Sequence, residues 1–259
     1  MLSPGAILEN RYEIRKLLGR GGSSCVYLAY DRETCRNWAI KEIYRCRNNQ
    51  TDIMVEQETA LIQRLGYPYF PKLKEILEKE ERYYIVMEYL EGETLGQILT
   101  RTGGQPWQRV VRWTKDMCLV LGYLHDCQPP VIYRDMKPEN IMLQPGGNLR
   151  LIDFGTVWTG EGNNKKVRVS FGTKGYAAPE QLNGEPIDVR TDIYGLGATM
   201  YHLLTGKDPC QFPCGEYSIR YWNRRLPRKL DKIVQKCTHT YPINRYSSCE
   251  ELREALEGI

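Results

Sequence analysis

Gly19-Arg20-Gly21-Gly22-Ser23-Ser24-Cys25-Val26 sets glycines between two strand-like runs. Glycines in such a turn let backbone N–H groups come close to phosphate oxygens, because no Cβ intervenes. Alone the signal is weak, since a plain hairpin turn has the same composition. The run opens no helix and lacks a Gly-Lys-Ser/Thr ending, which argues against a dinucleotide fingerprint or a Walker loop. Ala39-Ile40-Lys41 follows on the next strand-like run. A lysine in an apolar strand is either an exposed edge charge or a buried cation that needs an acidic partner. Glu58, on the helical stretch that comes next, is the natural candidate for that partner.

The densest chemistry lies further along. Val131-Ile132-Tyr133-Arg134-Asp135-Met136-Lys137-Pro138-Glu139-Asn140-Ile141-Met142-Leu143 precedes Asp153-Phe154-Gly155. Later come Gly172-Thr173-Lys174-Gly175-Tyr176-Ala177-Ala178-Pro179-Glu180, then Asp192 and Arg245. With the glycine run, Lys41 and Glu58, these residues resemble, element by element and in order, the motifs of the eukaryotic-like (Hanks-type) protein kinases. The resemblance covers essentially the whole chain, and so many ordered motifs make chance negligible. The opening Pro4-Gly-Ala-Ile-Leu-Glu-Asn-Arg-Tyr-Glu-Ile14 and the run Tyr176 to Gln181 look like bacterial members. The fold so implied is α+β and bilobal. A small antiparallel β-rich N-lobe with one main helix would occupy residues 1–88, a hinge 89–92, and a larger, mainly helical C-lobe 93–259.

The same resemblance implies roles. ATP would donate the phosphate, with Mg2+ or Mn2+ as the metal. Leu18, Gly19, Arg20, Gly21, Gly22, Ser23, Ser24, Cys25 and Val26 would cover the nucleotide. Val26 and Ala39 would enclose the adenine from one side and Met142 from the other. The backbone of Glu88 and Leu90 would bond the adenine edge, and Met87 would guard the back pocket. These apolar residues would also pack as ordinary core. Lys41 would hold the α- and β-phosphates, positioned by Glu58. Asn140 and Asp153 would ligate the metal, Asp135 would orient the attacking hydroxyl, and Lys137 would contact the γ-phosphate. Asp192, which could be a simple helix cap, would instead brace the catalytic loop. Glu180 and Arg245 would form a buried ion pair under the substrate platform.

Lys137 together with Thr173 follows the serine/threonine rather than the tyrosine pattern, so the expected partners are proteins with serine or threonine acceptors, with autophosphorylation. Three departures stand out. Tyr133 replaces the usual histidine, as aromatic packing near Phe154. Ser24 replaces the third glycine. Arg134 resembles the arginine that binds an activation-segment phosphate, yet Lys165, Lys166, Val167, Arg168 and Val169 carry no hydroxyl where phosphosites usually lie. Ser170 is the nearby candidate, and loop phosphorylation is not expected to be obligatory.

Strand-like runs at 12–18, 26–30, 38–43, 73–77 and 83–87 predict the strands that must hold these groups, and 52–65 a helix ended by Gly66 and Pro68. From about Leu90 the period changes. Val110, Trp113, Met117, Leu121 and Leu124 mark one face of a helix over 107–125. A second apolar helix runs from about Thr191 to Leu204 and stops at Gly206, and Glu250 to Ile259 reads as a charged helical end. The basic residues Arg220, Arg224, Arg225, Arg228 and Lys229 read as a solvated helical face, with docking of an acidic substrate the other reading.

The composition, 41% hydrophobic and 26% charged, is that of an ordinary globular chain. A net charge of +4 is too mild to imply nucleic acid. Nine cysteines without framework spacing predict reduced thiols, and Cys210 with Cys214 makes a weak zinc pair. No apolar run is long enough for a membrane span, which predicts a cytoplasmic chain or the cytosolic domain of a longer one. Nothing in the sequence supports a homodimer. Two other classes were weighed. A nucleotide-responsive pseudokinase would lack Lys41, Asp135 or Asp153, and a small-molecule kinase would lack the platform from Thr173 to Glu180; all are present.

Overall fold

Alternating burial marks the strands of the first part of the chain. In β3 (Ser24–Asp31), Cys25, Tyr27, Ala29 and Asp31 are buried and the residues between them only half-buried, because successive side chains of a pleated strand point to opposite faces. The computed structural model describes residues 1–21, 24–45, 50–65, 68–79, 81–159 and 172–259. Gly22, Ser23, positions 165–169 and Ser170 lie outside the described residues. The chain divides into two compact units, Met1–Gly92 with Arg150–Gly155, and Glu93–Leu149 with Thr156–Ile259.

The first unit is an antiparallel sheet of β1 (Ile7–Leu8), β2 (Tyr12–Arg20), β3, β4 (Arg36–Tyr44), β5 (Leu73–Lys79) and β6 (Arg82–Glu88), in the order β1-β2-β3-β4-β6-β5. One face packs Tyr12, Ile14, Tyr27, Ile40 and Val86 together. The other sets Ala39, Ile85 and Met87 against Val55 of α1 (Gln50–Arg64), with Leu18, Val26 and Ile43 alongside. Ala39, Lys41 and Ile43 alternate along β4, so Lys41 shares the face that meets α1. A one-residue slip would carry it to the opposite face.

The second unit is mainly helical: α2 (Leu95–Thr102), α3 (Trp107–His125), α4 (Pro179–Asn183), α5 (Val189–Thr205), α6 (Ile219–Trp222), α7 (Arg228–Cys237) and α8 (Cys249–Glu257). β7 (Glu93–Thr94) pairs antiparallel with β8 (Ile141–Leu143). The expected face of α3, from Val110 to Leu124, is buried as predicted. α5 is buried nearly all round. It is capped by Asp188, not by Asp192, and stops at Gly206 in the left-handed conformation (φ +66°). At Gly197 a Cβ would stand 2.4 Å from Cβ of Cys237, so glycine is what lets α5 and α7 meet this closely. The basic residues expected on one helical face are divided instead. Arg220 lies in α6, Arg224 and Arg225 in a turn, and Arg228 and Lys229 open α7.

Arg245 and Glu180 form the buried pair expected from the sequence. The guanidinium makes two parallel bonds to the carboxylate, at 2.6 and 2.7 Å. Its remaining donor capacity goes to the carbonyls of His239, Arg190 and Thr240, while Thr191 Oγ1 donates to Glu180 Oε1 at 3.0 Å. Removing one member strands a buried charge. Arg245→Met should cost about 3–5 kcal/mol, whereas the Glu180→Leu/Arg245→Met pair should recover roughly half of that. Urea unfolding of the three proteins checks this, and an equal loss in both variants would rule out a stranded charge as the cause.

Candidate active site

In the first unit β4 pairs Lys41 with Val26 on one side and Ile85 on the other. The ammonium lies 2.7 Å from Glu58 Oε1 and 2.9 Å from Asp153 Oδ1. Lys41 and Glu58 are buried, while the Asp153 side chain is 46% exposed. Burial alone would lower the lysine pKa. The two carboxylates outweigh it and hold the ammonium above the usual lysine range, so Lys41 is a fixed cation. Gly155 N–H donates to Asp153 Oδ1 at 3.2 Å and fixes the carboxylate from its other flank.

The remaining first-unit candidates separate by face. Gly19, Arg20 and Gly21 are exposed, and Gly21 N–H donates to the Ser24 carbonyl at 2.8 Å, closing the glycine turn. Leu18, Val26, Ala39 and Met87 gather on one side of the sheet. Cys25 does not join them. Its side chain is buried in the core of the opposite face, which leaves only its backbone toward the turn. Glu88 N–H is already committed to the Lys72 carbonyl at 2.8 Å, and the Glu88 carboxylate takes Arg150 Nη2 at 2.8 Å. Its carbonyl is the backbone group it can offer a ligand. Leu90 is buried.

In the second unit the loop after α3 is held by α5. Asp192 accepts the N–H groups of Tyr133 and Arg134, both at 2.8 Å, and His125 Nε2 at 2.8 Å. A carboxylate offers only acceptors, so the imidazole must donate from Nε2. Arg134 has φ +67°, a left-handed conformation costly for a side chain of this size. It is clamped from both ends, since Gln181 Nε2 donates to its carbonyl at 2.9 Å. Burial pushes the Arg134 guanidinium down to about 10, with Asp192 opposing, so it remains charged at neutral pH. Nε donates to the Thr156 carbonyl.

This clamp presents Asp135. Its Oδ1 accepts Thr173 Oγ1 at 2.9 Å, and its Oδ2 accepts Asn140 Nδ2 and Lys137 Nζ, each at 2.8 Å. Lys137 also donates to Thr173 Oγ1 at 2.7 Å. Asn140, on a 3-10 turn (Pro138–Asn140), reaches the Asp135 carbonyl at 2.9 Å as well. Met142 sits half-buried on β8. The structure thus joins Asp135, Lys137, Asn140 and Thr173 in one cluster of the second unit, and Lys41, Glu58 and Asp153 in one of the first.

The family model for the protein kinase domain matches residues 12–256. This chain belongs to the protein kinase family. It is similar to the serine/threonine-protein kinase PrkC of Bacillus subtilis, at 29% identity over 271 residues, covering 98% of this chain and 41% of that protein. PknB of Mycobacterium tuberculosis is 32% identical over 273 residues, covering 97% and 43%. The kinase-family chain therefore spans less than half the length of these relatives. Its fold matches the PknI kinase domain of Mycobacterium tuberculosis with a TM-score of 0.80 at 24% identity, over 100% of this chain and 98% of that one. The expected α+β kinase fold, a β-rich N-lobe and a helical C-lobe, is confirmed.

His125 and Gln181 were not singled out from the sequence; Gln181 holds the loop that carries Asp135, and His125 bonds the Asp192 carboxylate that holds it. His125 ends a helix already read as amphipathic, where its ring passes for one more side chain. Gln181 bonds a backbone carbonyl, which leaves no residue-type signature. Asp192→Asn would turn one acceptor into a donor facing buried N–H groups. It should destabilise the domain by about 1–3 kcal/mol. An unchanged thermal midpoint would show that the loop does not depend on this carboxylate.

Proposed function

We propose that this chain is a serine/threonine protein kinase domain that transfers the γ-phosphate of ATP, with magnesium, to protein hydroxyls, including its own. The observation that carries the reading is the Thr173 hydroxyl, which donates to Asp135 while accepting from Lys137. An incoming serine or threonine hydroxyl needs those same two partners, a carboxylate to orient its proton and a cation beside the oxygen. The names of the bacterial relatives, serine/threonine-protein kinases, support the same class. In this reading residues 1–88 hold the nucleotide, 89–92 connect, and 93–259 position the acceptor.

The donor chemistry suits a hard divalent cation. With Nδ2 of Asn140 bonded to Asp135, its oxygen is the atom left to offer, and Asp153 adds a half-exposed carboxylate. Among the described residues no cluster of three or more His, Cys, Asp or Glu side chains could hold a metal by itself. That agrees with a magnesium ion bound partly through substrate phosphates. Magnesium, when bound, neutralises charge on the phosphate oxygens. Lys41, fixed by Glu58, pairs with the α- and β-phosphates. Asp135 aligns the acceptor hydroxyl and takes its proton as the hydroxyl oxygen bonds the γ-phosphorus and the bond to the β-phosphate oxygen breaks, releasing ADP. Lys137 donates to the γ-phosphate as charge develops there.

No helix among the described residues is long and apolar enough to cross a membrane. Asp135→Ala should lower kcat by about a hundredfold or more while ATP affinity stays within about twofold, because this carboxylate acts on the acceptor. Labelled-phosphate transfer to a generic basic protein, alongside ATP titration, checks it. Retention of a tenth of wild-type kcat would refute the role. Ser170→Ala should keep at least roughly a third of wild-type kcat/KM after phosphatase treatment, a barrier change under about 1 kcal/mol. A hundredfold loss would make Ser170 the switch.

A further inference from the structure

The arginines at 224, 225 and 228 follow directly in the chain on an aromatic cluster. Phe212, Tyr217, Tyr221 and Trp222 meet edge-on or tilted, with ring centroids 5.0 Å apart for Tyr221 and Trp222 and 5.1 Å for Phe212 and Trp222. Trp222 is anchored by its indole N–H, 2.7 Å from the buried Tyr201 hydroxyl. Lys207 Nζ lies over both Phe212 and Trp222, at 5.8 and 5.0 Å. Arg224, Arg225 and Arg228 are exposed, and Tyr221 is 66% exposed, whereas Lys229 Nζ donates to the Gly258 carbonyl at 2.8 Å. Among the described residues no ion pair involves Arg224, Arg225 or Arg228. Asp208 accepts the Cys210 N–H at 2.9 Å and Asp231 accepts Gln235 at 3.2 Å, bonds that leave both carboxylates charged, and Glu216 is exposed.

This surface is tied to the residue beside the acceptor-holding threonine. Cys210 Sγ donates to the Lys174 carbonyl at 2.7 Å. Gly175 has φ +86°, and a Cβ there would fall 2.6 Å from the backbone of Pro209 and Cys210. The segment Thr173–Gly175 therefore lies directly on the 208–210 turn that leads into the aromatic cluster. A substrate whose hydroxyl reached Asp135 beside Thr173 would lie next to this turn.

We propose that this surface docks an acidic segment of the protein substrate, a reading that rests on the kinase assignment and adds a substrate class to it. Arginine forks pair with carboxylates in two-point geometry. A single-stranded nucleic acid would instead require open ring faces for base stacking. Here the rings pack on one another's edges, Lys207 covers two of them, and only Tyr221 is widely exposed.

The test uses the whole chain and three dye-labelled probes of equal length: a glutamate-rich peptide, a serine-glycine peptide and an oligouridylate. By fluorescence anisotropy at physiological salt, the acidic peptide should bind at least about fivefold more tightly than the neutral one, as expected for several exposed charge pairs acting together. Arg224→Glu/Arg225→Glu should abolish that preference, and Arg224→Gln/Arg225→Gln should reduce it. In parallel, KM for a serine peptide should fall by a similar factor when an acidic extension is appended. The variants should act on the unextended peptide within about twofold of wild type, since neither arginine touches the reacting groups. Equal binding of both peptides, or a preference that survives charge reversal, overturns the proposal. Tighter binding of the oligouridylate would make this a nucleic-acid surface and overturns it too. Acidic binding without phosphate transfer to either peptide would uphold the dock and fail the kinase reading. Transfer to both peptides with equal KM would do the reverse.

Discussion

Two backbone N–H groups, those of Tyr133 and Arg134, end on the single carboxylate of Asp192. A left-handed Arg134 is possible because that carboxylate and Gln181 together over-determine the backbone on both sides of it. Asp135, the next residue, inherits its direction from this strain. The carboxylate can do this because it rides on α5, which is buried nearly all round. Packing of a core helix is thereby converted into the position of the Asp135 carboxylate. Gly197, with no room for a Cβ beside Cys237, shows how closely the helices supporting α5 approach it.

The buried ion pairs divide by whether their charges are saturated. Arg245 uses its fork on Glu180 and its other N–H groups on backbone carbonyls, so nothing is left for a ligand. It is a rivet. Lys41 carries one positive charge against the two carboxylates of Glu58 and Asp153, and the second of these is partly open to solvent. Negative charge is therefore in excess there. The Asp135 carboxylate, by contrast, is met by one ammonium, one hydroxyl and one amide.

Much of this was legible because the signals are local. Strand alternation around Lys41, the i, i+3, i+4 face of α3 and the stop at Gly206 each depend on a few neighbouring residues, and each emerged with close to its true limits. The charged residues of the site were legible by type and order. Their pairings join residues far apart in the chain, and only packing brings Lys41 to Asp153 or Asp135 to Thr173. β1 is two residues long and too short to show a period. α7 was missed for a different reason. Leu230, Ile233, Val234 and Cys237 have full helical spacing, yet the cations at 224–229 dominated the reading of that stretch and drew one helix across a turn.

That error is instructive about charged surfaces. A run of arginines in sequence suggests a solvated helix face, because such a face needs no partner. Here a turn interrupts the run, so the side chains diverge from different backbones instead of lining one cylinder. The aromatic cluster that precedes them joins residues separated in sequence, and its Trp222 is held by Tyr201 of α5. α5, which carries Asp192 under the Tyr133–Asp135 loop, therefore also anchors Trp222. Asp192 and Trp222 are thus set by one buried helix and not by a mobile loop.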